Sequence, residues 1–323
     1  MTRRILRYGV TVSLLALLVW SVDVEHLVDL TARMRVGYGL AALALLLCQN
    51  DLATRRWATM LRAFGTGPRF PRLLRIQYSA LFAQLFLPTS IGSAAVRIGL
   101  LFRAGTPIGI AINSVVLDRF VAMGGLALMA AAFMPAIAAS LTLNNAPANV
   151  LIPSAAMLFA LFLAGSLVLR CRPLPYWLDL LKRTPARHMV EPLEQASSKI
   201  YAPGRLLTAL AFSLSGQLAA IGAVFVLALG GGLQVQLLDC ILVMPPVMLL
   251  AALPISIAGW GVRESAMVIA FGLLGVAHEA ALALALQYAV ISYAAALPGA
   301  LGWLSEANRD AISNRPMVGY RKN

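Results

Sequence analysis

One eleven-residue pattern occurs twice inside apolar sequence, and this repetition constrains the fold more than any other feature. Leu87–Arg97 reads LPTSIGSAAVR and Leu253–Arg263 reads LPISIAGWGVR. Leu, Pro, Ser, Ile, Val and Arg recur at equivalent positions without a gap. Each copy sets a proline, a helix-loosening Gly/Ser stretch and then an arginine into a hydrophobic region. Broken hydrophobic segments at corresponding positions of two halves point to a membrane protein whose site lies near the midplane, where the halves meet.

The 323 residues are 60% hydrophobic and only 12% charged, with mean hydropathy +0.81. A soluble domain is about 45–50% apolar and about 25% charged. Lipid offers no partner for open backbone groups, so long apolar runs predict helices. The alternating segments of a membrane barrel are absent. The expected fold is therefore an all-α polytopic membrane protein. The net charge of +13 would suggest nucleic acid in a soluble chain. Here it is assigned to cytoplasmic loops, and no nucleic-acid partner is expected. Cys48, Cys171 and Cys240, like His26, His188 and His278, are far apart. They indicate no disulfide framework, metal site or cofactor.

A full crossing needs roughly 20 residues. The apolar runs predict about six spanning helices, at 6–22, 36–50, 108–133, 151–169, 206–229 and 280–303. The first follows Thr2-Arg3-Arg4, but no small-x-small cleavage site follows it. It reads as an uncleaved span rather than an export signal. Two further regions, about 76–103 and 238–276, contain the repeated pattern and predict two re-entrant broken-helix hairpins. Twenty Lys and Arg residues fall at the N-terminus (Arg3, Arg4 and Arg7), in 51–75, in 170–205 and in the tail; only Arg33 and Arg35 fall in the opposite loops. This bias places both termini in the cytoplasm. With both hairpins re-entrant, the chain is an inverted two-fold repeat, 1–150 followed by 151–323.

Pro88 and Pro254 are read as breaking the hairpin helices, as is the Pro245-Pro246 pair. Gly92, Gly259 and Gly261 permit tight turns, or alternatively close helix packing. The candidate substrate-binding residues are Arg97, Asp118, Arg119, Arg263 and Glu264. A charge at the bilayer centre costs at least about 2.5–3.5 kcal/mol, so it faces protein or water. Sequence neighbours on a helix do not face one another. Asp118 and Arg119, and Arg263 and Glu264, are thus each expected to pair elsewhere, including across the halves. A guanidinium fork suits phosphate, and half-helix N-termini add N–H donors for the same anion. Structural ion pairs holding the hairpins are the competing reading. Arg103 is read as an interfacial anchor.

The pattern LPTSIGSAAVR, the run NSVVLDRF at Asn113–Phe120 and the run LPISIAGWGVRES at Leu253–Ser265, taken with their spacing, carry a resemblance over nearly the whole chain. The chain resembles the flippase-like family that includes the transmembrane region of lysylphosphatidylglycerol synthase. The resemblance implies a bacterial-type inner (plasma) membrane protein. It would move an anionic, aminoacylated or lipid-linked substrate between leaflets, with a phospholipid or a polyprenyl- or hopanoid-type lipid as partner. Gly92-Ser93-Ala94 stands where the family reads Gly-Gly-Asp before its arginine, and Ala258 where Gly is common. No acyltransferase-like domain follows the last span, so the resemblance implies a stand-alone transport half with any lipid-modifying enzyme encoded separately. There is no Walker sequence for ATP. The expectation is a flippase or scramblase, not an enzyme. Two alternatives stay open: an intramembrane enzyme on lipid phosphates with Asp118 or Glu264 as base, and a non-catalytic partner of a lipid-modifying complex.

Overall fold

Helices, and no strands, make up the regular structure among the described residues of the computed structural model, which are 35–85, 90–143, 199, 202–252 and 261–302. In chain order the eight helices are α1 (Val36–Ala63), α2 (Phe70–Gln84), α3 (Ser90–Arg103), α4 (Ile108–Leu143), α5 (Pro203–Gly230), α6 (Leu237–Ala252), α7 (Val262–Gly272) and α8 (His278–Ala296). Four are long and apolar enough to cross a membrane: α1, α4 over Ile108–Ala132, α5, and α8 continued to Gly302. Exposed Leu40, Val116, Leu207, Ile269 and Val290 mark faces suited to lipid rather than water.

The expected spans at 206–229 and 280–303 correspond to α5 and α8. The span expected at 36–50 is longer, because α1 continues past Asp51 to Ala63. Asp51 does not end the helix: it receives a bond from Arg55 one turn on, at 2.6 Å on an exposed face. Beyond it, Trp57, Met60 and Leu61 continue the buried stripe. α4 starts where expected but runs on to Leu143. The spans expected at 6–22 and 151–169 lie outside the described residues, as do Pro88, Pro254 and Gly259.

Each region expected to form a hairpin contains two helices packed on one another, α2 on α3 and α6 on α7. The residues joining the arms lie outside the described set. Pro71 sits in the first turn of α2 and Pro203 opens α5, where a missing N–H costs nothing. Pro245 and Pro246 are interior instead, yet α6 runs unbroken through them; the expected break is not there. Gly92 lies in the first turn of α3 rather than between the arms.

The same order of long helix, two short helices and long helix thus occurs twice. α1 and α5 are each followed by a left-handed glycine, Gly65 (φ 72°) and Gly232 (φ 73°). The turns after α3 and α7 contain Gly105 (φ 91°) and Gly275 (φ 81°). After both, the next N–H bonds back to a carbonyl five residues earlier, Thr106 to Leu101 and Val276 to Phe271. That closure needs a left-handed residue, which glycine adopts without steric cost.

α1 and α5 pack along one another more extensively than any other pair. A Cβ placed at Gly222 would touch Leu45, one at Gly216 would touch Gln49 and Leu52, and Arg56 reaches Ser213. Numbers rising along α1 meet numbers falling along α5, so the two helices are antiparallel. Small residues permit this close approach where hydrophobic driving force between helices is weak. One buried cluster, around Leu46, Ile221, Leu227, Met244, Met267 and Phe271, joins α1 to α5–α8. A second, around Trp57, Leu61, Leu73, Ile76, Leu101 and Val115, fills the space among α1–α4.

Candidate functional site

Four helices converge on one carboxylate. Asp118 on α4 has a side chain only 2% exposed, and its two oxygens are held by different guanidinia. Arg56 on α1 donates from Nε to Oδ1 at 2.8 Å, and Arg97 on α3 donates from Nη1 to Oδ2 at 3.0 Å. The same Nη1 donates to Oε1 of Gln77 on α2 at 3.1 Å. The Arg97 guanidinium carbon lies 4.7 Å from the Trp57 ring centre, a cation–π stack. Trp57 is anchored in turn, its Nε1 donating to Ser114 Oγ at 3.3 Å and that hydroxyl to the Ala111 carbonyl at 2.9 Å.

A fifth helix joins through Ser213 on α5, whose Oγ accepts from Arg56 Nη1 and donates to the Val121 carbonyl, both at 3.4 Å. A Cβ at Gly125 would collide with that hydroxyl, so only glycine leaves room for it. Arg119, half-buried, is within electrostatic range of Arg56, Arg97 and Asp118. Two guanidinia therefore hold one carboxylate, with a third within electrostatic range, among the described residues. Buried charge is tolerable only where paired and hydrogen-bonded, which is what Gln77, Ser213 and the Trp57 face supply.

The second cluster is smaller. Gly261, at φ 78°, caps α7, and Glu264 three residues on reaches back, its Oε2 accepting the Gly261 N–H at 2.8 Å. This holds the fully buried carboxylate at the helix start. Arg263 closes on Oε1 with Nε at 3.1 Å and Nη2 at 2.8 Å. Its guanidinium carbon is 5.3 Å from the Tyr288 ring centre, and Tyr293 faces it as well.

Two sequence expectations need correction. Arg263 and Glu264 pair with each other, although they are neighbours. The glutamate folds back to the cap, so its carboxylate lies over the helix end instead of out along its own radius. Asp118 does pair away from its neighbour Arg119, as expected, but both arginine partners come from the first half and not from across the halves. The structure does bring Arg97, Asp118 and Arg119 together, and Arg263 with Glu264, as two separate groups.

Sequence reasoning missed Arg56, which it counted among the basic residues of a loop, and with it Trp57, Gln77 and Ser213. One signal was available. Arg56 shares its helical face with Thr59, Met60 and Ala63, all buried, whereas Arg55 pairs with Asp51 on the outer face. An arginine on the apolar stripe of an amphipathic helix is a candidate for a buried partner.

No group of three or more residues able to hold a metal ion occurs among the described residues. The family model described as the lysylphosphatidylglycerol synthase TM region matches residues 4–299. No curated protein matches the chain.

Proposed function

From the chain's membership of the lysylphosphatidylglycerol synthase transmembrane-region family, we propose that it is a lipid flippase or scramblase and not an enzyme. It moves an anionic, aminoacylated or lipid-linked headgroup between leaflets of a bacterial-type inner membrane while the acyl tails stay in the bilayer. The observation that carries this reading is the buried carboxylate of Asp118 held by Arg56 and Arg97, with half-buried Arg119 within electrostatic range. Arginine presents a planar fork of donors that matches phosphate. A headgroup phosphate entering the cluster exchanges with Asp118 as counter-ion, so Arg97 and Arg56 pass from one anion to another without being left bare. Arg263 and Glu264 form a second, neutral station on the same route.

In this reading the two helix pairs α2–α3 and α6–α7 are re-entrant hairpins, and the halves 1–150 and 151–323 are inverted repeats with both termini cytoplasmic. The antiparallel pairing of α1 with α5, helices of equal rank in the two halves, supports inversion. Inverted repeats around broken helices are the usual framework for alternating access. A lipid-modifying enzyme supplies the substrate.

Transbilayer movement of headgroup-labelled lipids in proteoliposomes tests the proposal, with anionic, aminoacylated and polyprenyl-linked probes. Wild-type protein is expected to move at least one probe, and Arg97→Gln to slow that movement about tenfold or more, the worth of a hydrogen bond to a charged group. Wild-type rates from a folded Arg97→Gln protein remove the cluster from the mechanism. Failure of folded wild-type protein to move any probe sinks the transport reading.

A further inference from the structure

A second arginine-rich feature lies outside the buried cluster. Between Asp51 and Asp118 the chain carries eight arginines and no acidic residue. Three of them, Arg62, Arg69 and Arg72, are exposed and have no carboxylate partner among the described residues. They border two adjoining cavities at the turn between α1 and α2. One, about 460 Å³, is bounded by Arg62 and Arg69. The other, about 380 Å³, is bounded by Arg69, Arg72 and the Ala104–Thr106 turn after α3. The two share Thr66, Gly67, Pro68 and Arg69, so Arg69 stands between them.

We propose that this paired cavity is a docking site for the phosphate of an anionic phospholipid headgroup. The charge favours an anion, and three unpaired guanidinia offer more donors than one phosphate oxygen uses. Arg69 also precedes α2, whose first turn adds a positive dipole end. The surroundings favour a lipid over free phosphate. Phe102 and Ile108, 57% and 44% exposed, flank the Ala104–Thr106 wall and give the acyl chains an apolar surface beside the charge. The site does not open onto the buried cluster. Ala58, Leu61 and Leu73 line the cavity floor and belong to the same apolar cluster as Trp57, on which Arg97 stacks. A docked headgroup is thus held outside a dry layer. The inference concerns binding alone and stands whether or not the protein transports lipid.

The test uses the full chain in uncharged detergent with a fluorescent dioctanoyl phosphatidylglycerol as probe. Arg69→Gln is expected to weaken binding about tenfold or more, and the Arg62→Gln/Arg72→Gln double variant to weaken it similarly. Arg35→Gln, at the far end of α1, leaves binding unchanged. Unlabelled dioctanoyl phosphatidylglycerol displaces the probe, whereas neither dioctanoylglycerol nor an equal concentration of inorganic phosphate does. All altered positions are exposed, and circular dichroism confirms that helix content is kept. The proposal is overturned by wild-type affinity in both arginine variants. Displacement by dioctanoylglycerol overturns it in favour of a purely apolar groove, and displacement by inorganic phosphate in favour of a free-phosphate site.

Discussion

The two halves of the chain share an order of helices and turns but differ in what they bury. Gly65 and Gly232 follow α1 and α5; counted from them, Arg56 and Gln77 of the first half fall where the second has Ala223 and Met244. Counted from Gly105 and Gly275, Asp118 falls where the second half has Tyr288. All three replacements are buried, so the second half fills with apolar and aromatic atoms the positions that the first half gives to charged and polar groups. Arg97 and Arg263 are equivalent in the repeated pattern, yet they solve their burial differently. Arg97 depends on a carboxylate from another helix and an amide from a third. Arg263 uses the glutamate beside it and an aromatic face. The first cluster ties helices together; the second is nearly self-contained within α7.

The sharpest way to break this contrast is to remove the shared carboxylate. Asp118→Leu leaves buried Arg56 and Arg97 without their counter-ion and is expected to cost about 3–5 kcal/mol, read from denaturation midpoints in detergent. A loss no larger than that of Glu264→Gln contradicts the account. Next, Gly125→Ala forces its methyl into the Ser213 hydroxyl and is expected to cost about 1–3 kcal/mol. Adding Ser213→Ala should recover part of that loss in a double-mutant cycle, and simple additivity would deny the contact. Glu264→Gln is expected to cost about 1 kcal/mol, since an amide oxygen still caps Gly261 and Arg263 keeps its place over Tyr288. Thermal scans of that variant should show a small, single transition. The smallest effect, below about 1 kcal/mol, is expected for Arg55→Gln, which removes an exposed pair one turn apart and a stack on the Phe70 ring 4.9 Å away. A larger shift in its midpoint would mean that the outer face of α1 bears on the core.

Much of this was legible in the sequence. The repeated pattern singles out Arg97 and Arg263, and the apolar runs locate α4, α5 and α8, because hydrophobic length and composition are local properties. Arg56 was hidden because a charged stretch from Asp51 to Arg75 reads as a loop unless each residue is assigned a helical face. The Arg263–Glu264 pair was hidden for a different reason. Whether neighbours meet depends on the cap geometry at Gly261, a backbone conformation rather than a composition. Pro245 and Pro246 misled in the opposite sense, since a helix held by packing on both sides tolerates proline that an isolated one would not.

The pairing of α1 with α5 has a consequence in time. Asp118 follows Arg56 by 62 residues, but Ser213 follows it by 157. At synthesis rates of about 5–20 residues per second, α1 acquires its ion-pair partner within roughly 3–12 seconds and its full neighbour only after roughly 8–30 seconds. In that interval the face of α1 that will meet Gly216 and Gly222 lacks its α5 partner. A nascent chain stopped before α5 thus presents an incomplete helix surface to the membrane, a recognisable mark for proteolytic removal.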